Sequence, residues 1–129
     1  MKVLVTGGSG LCGSAIREES ASSTHEFVFA TREDADLTSP CEVESLFGDK
    51  RPDYVIHTAA RVGGIGGNQA MHEQFLYDNL LINVNVIRNC CRFGVKKLLA
   101  FSSVCVFPDD LAILEEERIH DGPVFESNF

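Results

Sequence analysis

The tightest constraint on this chain sits at its N-terminus, where a short apolar run, Lys2 to Thr6 (KVLVT), breaks into glycines at positions 7, 10 and 13. Leu11, Ala15 and Ile16 follow at helical spacing, so the segment reads as strand, glycine turn and helix. Glycine at those positions lets the turn close tightly, lets backbone amides approach an anionic ligand and lets the helix lie close to its strand. Gly7, Gly8, Ser9, Gly10, Leu11 and Gly13 are therefore read as the cradle of a dinucleotide pyrophosphate, against the blander alternative of a tight turn without a ligand. The position of the turn, directly after residue 6 in a strand-helix-strand unit, favours the first reading.

The rest of the chain continues the alternation. Phe27 to Thr31 (FVFAT) is a second strand whose apolar residues run without a break, as in a sheet covered on both faces. Ser39, Pro40 and Glu42 make a helix start, with an N-cap, a proline at the first helical position and the glutamate of a capping box. Val43, Leu46 and Phe47 give that helix a core face, and Gly48 ends it. Asp53 to His57 (DYVIH) is a third strand. A long helix spans roughly 70–93, where Leu76, Leu80, Val84, Ile87 and Cys91 form a stripe of helical period supported by Phe75, Ile82 and Val86. Gly94 is placed as a left-handed cap, and Lys97 to Phe101 is a fourth strand. Strands alternating with helices, joined by connections long enough to cross over, imply an α/β fold: a Rossmann-type parallel sheet with helices on both faces. Its ligands bind at the carboxyl ends of the strands.

With 129 residues, 44% of them hydrophobic, the chain can build one domain around one core. Most of its net charge of −8 lies in residues 109–129, which carry seven acids against Arg118 alone. Residues 1–108 are thus expected to form the dinucleotide-binding domain and 109–129 a loosely ordered acidic segment. An acidic balance argues against nucleic acid or an anionic membrane surface as a partner, since both require a basic face. The five cysteines, at 12, 41, 90, 91 and 105, form no C-x-x-C pair and no metal-ligand spacing, so free thiols and no metal are expected. With no apolar stretch long enough for a signal peptide or a span at the N-terminus, a cytoplasmic location is expected. In the first helix Glu18, Glu19 and Ser20, followed by Ser22 and Ser23, stand where an apolar tail is usual, which predicts weak packing.

Cofactor preference is read at the end of the second strand, where an acid would grip both ribose hydroxyls of NAD and repel a 2′-phosphate. This chain has Ala30, Thr31 and Arg32 there, and a guanidinium without an acid on the strand end favours NADP. Glu33 and Asp34 follow at once, so a one-residue shift reverses the preference, and a solvated Arg32 is the blander alternative. Asp36 and Leu37 stand where an adenine would be met by hydrogen bond and packing, while Ala59 and Ala60 leave room beside the third strand. After the fourth strand, Ser103 can donate to a carbonyl oxygen that turns negative during hydride transfer, and Cys105 can act as acid or base. A loop serine and a buried thiol are the ordinary readings of those two; their place at a strand's carboxyl end sets them apart. His57 is read as a residue positioning its loop and His25, His72 and His120 as surface residues. Asn79 either orients groups beneath the site or packs its helix.

Thr6 to Gly13 (TGGSGLCG), Asp34 to Leu37 (DADL), His57 to Ala60 (HTAA), Val62 to Gly64 (VGG) and Ser103 to Pro108 (SVCVFP) together resemble the extended short-chain dehydrogenases, most narrowly the GDP-L-fucose synthase family. The resemblance runs through essentially the whole chain. It implies an NADP(H)-dependent enzyme that epimerises C3 and C5 of GDP-4-keto-6-deoxy-D-mannose and then reduces its 4-keto group, a homodimer when complete. By position, Ser103 resembles the serine that bonds the keto oxygen and Cys105 the acid/base of epimerisation. The family's Tyr-x-x-x-Lys pair and later catalytic histidine are not among the 129 residues: neither Tyr54 nor Tyr77 has a lysine four positions on, and Asn128-Phe129 resembles the segment just before that tyrosine. The residues given are therefore expected to be catalytically incomplete. Two other readings stay open, a non-catalytic NADP-binding module or pseudoenzyme, and a portion of another nucleotide-sugar epimerase or dehydratase.

Overall fold

The apolar runs pair as four parallel strands, β1 (Lys2–Thr6), β2 (Glu26–Ala30), β3 (Tyr54–His57) and β4 (Lys97–Ala100), in a computed structural model that describes residues 1–108 and 110–123. Asp109 and the segment containing Asn128-Phe129 lie outside the described residues. Between the strands run α1 (Leu11–Ser20), α2 (Pro40–Lys50) and α3 (Gly64–Arg92). The sheet order is β2-β1-β3-β4, with Val5 beside Phe29 and Ile56, and Ile56 beside Leu99. From β1 the chain moves outward to β2; from β3 it moves the opposite way to β4. The direction of winding therefore reverses between β1 and β3, and a crevice opens at their carboxyl ends.

The core lies on the face packed by α2 and α3. Leu4, Val55, Val43, Leu46, Phe47, Val86 and Cys90 close it, with Val28 and Leu98 packed against them. Each large side chain buried here contributes about 1.5–3 kcal/mol relative to exposure. On the opposite face α1 meets β2, where the Arg17 guanidinium sits 4.0 Å from the centroid of the Phe29 ring. Gly13 is the buried residue of α1, and Leu11 is 90% exposed, so this helix packs as weakly as its polar tail predicted. Further along that face Leu99 of β4 is half exposed. Two-sided coverage is thus met beside β1 and β2 and not at β4.

The readings of two helices need correction. The stripe Leu76, Leu80, Val84, Ile87 and Cys91 faces outward, and the core side of α3 is Asp78, Ile82, Asn85, Val86, Asn89 and Cys90. Those polar residues sit inward because each has a partner: Asn85 Nδ2 donates to Leu37 O at 3.0 Å, and Asn89 Nδ2 to Asn85 O at 2.8 Å. The helix is also longer than expected, since a non-helical residue, Met71, joins an N-terminal piece beginning at Gly64 to the main body. In α2, Ser39 is the N-cap without a side-chain cap bond, and the Glu42 carboxylate accepts from Asp36 N at 2.8 Å instead of closing a capping box. Gly48 does not end α2. The helix runs to Lys50 and stops with Arg51 in the left-handed region at φ 48°, directly before Pro52, which has no N–H to continue it. Gly94 caps α3 at φ 68° as expected. Among the described residues no helix is long and apolar enough to cross a membrane.

Candidate functional site

At the crevice between β1 and β3 the glycine turn is shaped by separate requirements at each position. Gly7 adopts φ 74°, which a side chain would strain, and its carbonyl accepts from Gly10 N at 2.9 Å. Gly10 is the N-cap of α1, accepting from Ser14 N at 2.9 Å. A Cβ on Gly13 would lie 2.3 Å from Gly7 O and 2.8 Å from Gly8 Cα, so the helix can approach the turn only without one. Gly8 N donates to Ala30 O at 2.8 Å, and a Cβ there would meet Phe29 at 2.7 Å. The N-cap of α1, Gly10, thus lines the cleft, with the positive end of the helix dipole behind it.

The cleft has a volume of about 370 Å³. Gly7, Ser9 and Gly10 form one wall, the β2 end and its loop with Arg32, Asp36 and Leu37 a second, and Thr58, Ala59, Ala60 and Arg61 a third. Of the turn residues expected to cradle a pyrophosphate, Gly8 and Gly13 stand behind this lining, and the Leu11 side chain points to solvent. The sequence reading did not assign Ala35, Thr38, Thr58, Arg61 and Ile82 to the cofactor site, and they also line the cleft. Arg61 alone left a signal, as the one basic residue in a run of small ones.

The charges at the β2 end sort themselves by hydrogen bonding. Asp34 turns back on its own loop, accepting from Thr31 N at 2.7 Å and Thr31 Oγ1 at 2.9 Å, and these bonds hold its carboxyl below the usual range. Glu33 is exposed and outside the cleft lining. Arg32 lines the cleft and makes no ion pair among the described residues. Asp36 is both a turn residue and a wall residue: Oδ1 accepts from Thr38 N at 2.9 Å and Thr38 Oγ1 at 2.8 Å. Those bonds first, then the nearby Arg32 and Arg61, hold its carboxyl below the usual range.

A buried polar ladder underlies the cleft. Thr6 Oγ1 lies 2.6 Å from His57 Nδ1, and His57 Nε2 lies 3.1 Å from Asn83 Oδ1. Burial pushes the His57 pKa down, so the ring is neutral at neutral pH. Asn79 grips the backbone of Arg61 twice, Oδ1 accepting from Arg61 N at 2.7 Å and Nδ2 donating to Arg61 O at 2.9 Å. Arg61 in turn pairs with the buried Asp78 carboxylate, which also accepts from Gln74 at 2.7 Å. Asn79 thus ties α3 to a residue of the cleft wall.

Ser103 and Cys105 are brought together after β4, where Ser103 Oγ accepts from Cys105 N at 3.2 Å. Both are exposed and neither lines the cleft. All five cysteines are free thiols, and only Cys90 is buried, which pushes its thiol up to about 11. His25, His72 and His120 are exposed, and the described residues hold no group of metal-type ligands.

Comparison with known proteins follows the same lines. A family model described as the NAD dependent epimerase/dehydratase family matches residues 3–128. A probable GDP-L-fucose synthase of Drosophila melanogaster is 40% identical over 132 aligned residues, taking in 99% of this chain and 41% of its own length. The GDP-L-fucose synthase of Dictyostelium discoideum is 42% identical, covering 98% of this chain and 41% of its own. Among solved structures, a GDP-L-fucose synthetase from Naegleria fowleri bound to NADP superposes with a TM-score of 0.86 at 38% identity, over 98% of this chain and 38% of that one. The chain spans about two fifths of the length of the curated relatives it matches.

Proposed function

Since the chain belongs to the NAD dependent epimerase/dehydratase family, we propose that it is the NADP(H)-binding portion of a GDP-L-fucose synthase. The observation that carries this reading is Arg32: a guanidinium without an ion-pair partner among the described residues, lining the cleft just past β2, while Asp34 is engaged in its own turn. An arginine so placed suits a 2′-phosphate, and no carboxylate on the strand end competes for it. The residues fit the rest of a dinucleotide. The glycine turn and the α1 amides suit a pyrophosphate, Asp36 and Leu37 an adenine, and the small residues Ala59 and Ala60 allow close approach.

The bound cofactor supplies hydride. The chain's own contribution lies at Ser103, whose hydroxyl donates to the 4-keto oxygen of GDP-4-keto-6-deoxy-D-mannose, and at Cys105, which moves protons at C3 and C5. Those protons are acidic because the charge left behind spreads onto the carbonyl oxygen. The 129 residues contain no Tyr-x-x-x-Lys, so they hold no evident group to protonate the new hydroxyl. With the purified chain, NADPH and the keto-sugar nucleotide, the expected result is NADPH binding, seen as a fluorescence change, without NADPH consumption. Steady consumption would contradict the reading. In an enzyme carrying these residues together with the tyrosine-lysine pair, Cys105→Ser should stop solvent deuterium entering C3 and C5. Undiminished exchange there favours a different nucleotide-sugar epimerase or dehydratase. A homodimer of the complete enzyme is supported by the exposed apolar stripe of α3.

A further inference from the structure

The two cleft walls that flank the switch point are joined at their base by side chains. Thr6 and His57 are register partners in β1 and β3, and both are buried. Directly above them Thr58 N and Thr58 Oγ1 both donate to Thr6 O, at 3.3 and 2.7 Å. A Cβ on Gly7 would stand 2.9 Å from both Ala59 Cα and Thr58 Oγ1. The glycine turn and the loop after β3 are therefore already in contact, and any change in spacing at their base passes straight into the cleft.

The bond directions in the ladder follow from Asn83. Its Nδ2 donates to Asn79 O at 2.8 Å, so the atom facing His57 is Oδ1, which can only accept. His57 Nε2 therefore carries the proton, Nδ1 is an acceptor, and the Thr6 hydroxyl donates to it. The groups that face the ring, Thr6 from β1 and Asn83 from α3, are neutral; burial lowers the ring's pKa, and the bond to the Asn83 oxygen opposes that only in part. Asn79, whose carbonyl takes the Asn83 amide, is the residue that grips Arg61 on both sides. One ring thus ties the end of β1, the end of β3, α3 and, through α3, the far end of the cleft loop.

We propose that His57 is a positioning residue for the cofactor: clamped as the Nε2–H tautomer between Thr6 and Asn83, it sets the separation of the glycine turn and the Thr58–Arg61 loop and thereby the affinity for NADPH. This rests on the cofactor reading above. A histidine that merely fills the core would change stability and leave the affinity of the folded chain alone.

The test is the NADPH dissociation constant of the 129-residue chain and its variants, each at a temperature where circular dichroism shows it folded. Thr6→Val, which keeps the shape and deletes the donor, and His57→Leu should each weaken NADPH about tenfold, while Thr6→Ser, which keeps the hydroxyl, should stay within about twofold. Wild-type affinity in folded Thr6→Val and His57→Leu would overturn the proposal, as would equal weakening in Thr6→Ser. For variants that do not fold, long-range proton–nitrogen correlation on the wild-type chain decides: a neutral Nε2–H ring at neutral pH whose signals move on adding NADPH supports it. An Nδ1–H ring, or a ring indifferent to NADPH that the chain demonstrably binds, overturns it. Failure of the wild-type chain to bind NADPH at all overturns the cofactor reading itself and takes this inference with it.

Discussion

Gly13 shows how a residue can matter through what it lacks. Its absent Cβ would sit 2.3 Å from Gly7 O, against backbone that cannot swing aside as a long side chain can. Gly13→Ala should push α1 off the turn, unfolding the chain or leaving it folded with no measurable NADPH binding, as read by calorimetric titration; unimpaired binding would contradict the role given to the turn. His57 makes a prediction about pH. Its folded pKa lies below its ordinary value, so the unfolded chain takes up a proton that the folded chain refuses. Stability is then complete above about pH 6.5 and falls as the pH drops below it. Urea midpoints should be flat from neutrality upward and decline on acidification, with that decline reduced in His57→Gln. Asp34 and Asp36, whose carboxyls are held low by their turns, lose their contribution in a separate, more acidic window that opens at the ordinary carboxylate pKa and extends below it. At this scale the glycine turn and the place of Arg32 and Asp36 on the cleft wall were legible because backbone freedom and charge are local properties. Arg61 showed in the sequence only as a lone base among small residues, since its place on the cleft depends on Asn79 and Asp78 from a helix many residues away.

For whole elements, α3 shows where periodicity stops being informative. Two faces of this helix satisfy helical spacing, one apolar (Leu76, Leu80, Val84, Ile87) and one mixed (Asp78, Ile82, Asn85, Val86, Asn89), and the mixed one is buried. Counting apolar residues picks the wrong face, because buried amides bonded to Leu37 O and Asn85 O carry no signature in the sequence. Val86 is fully buried and Val84 largely exposed. Val86→Ala should therefore cost about 2 kcal/mol in urea denaturation, and Val84→Ala less than about 0.5 kcal/mol. The reverse order would restore the periodicity-based face. The end of α2 was misread for a related reason: Gly48 looked like a stop, but a helix tolerates glycine at a cost of about 1 kcal/mol, whereas Pro52 leaves it nothing to bond. Strand positions were legible to within a residue, since continuous apolar runs bounded by turn residues admit few alternatives.

Across the molecule, sheet order and function are linked by the reversal of winding between β1 and β3. That reversal opens the crevice, the glycine turn and the Thr58–Arg61 loop wall it, and Arg32 stands at its β2 end. Ser103 and Cys105 lie after β4, outside that lining, so the cofactor cleft and the substrate groups proposed above occupy neighbouring strand ends of one sheet. The parallel α/β architecture was readable from the alternation of elements. The bare region at Leu99 was not, because coverage of a face depends on where helices land and not on the strand's own residues. The central claim is that this cleft binds NADP(H) through Arg32, and side-by-side titration of NADPH and NADH into the wild-type chain and Arg32→Ala tests it most directly. Loss of a charge-assisted bond to phosphate is worth about tenfold or more in affinity. The account predicts one site per chain, tighter NADPH than NADH in the wild type, and a preference lost in Arg32→Ala with NADH affinity unchanged. Equal affinities in the wild type, or a preference for NADH untouched by the substitution, would contradict it.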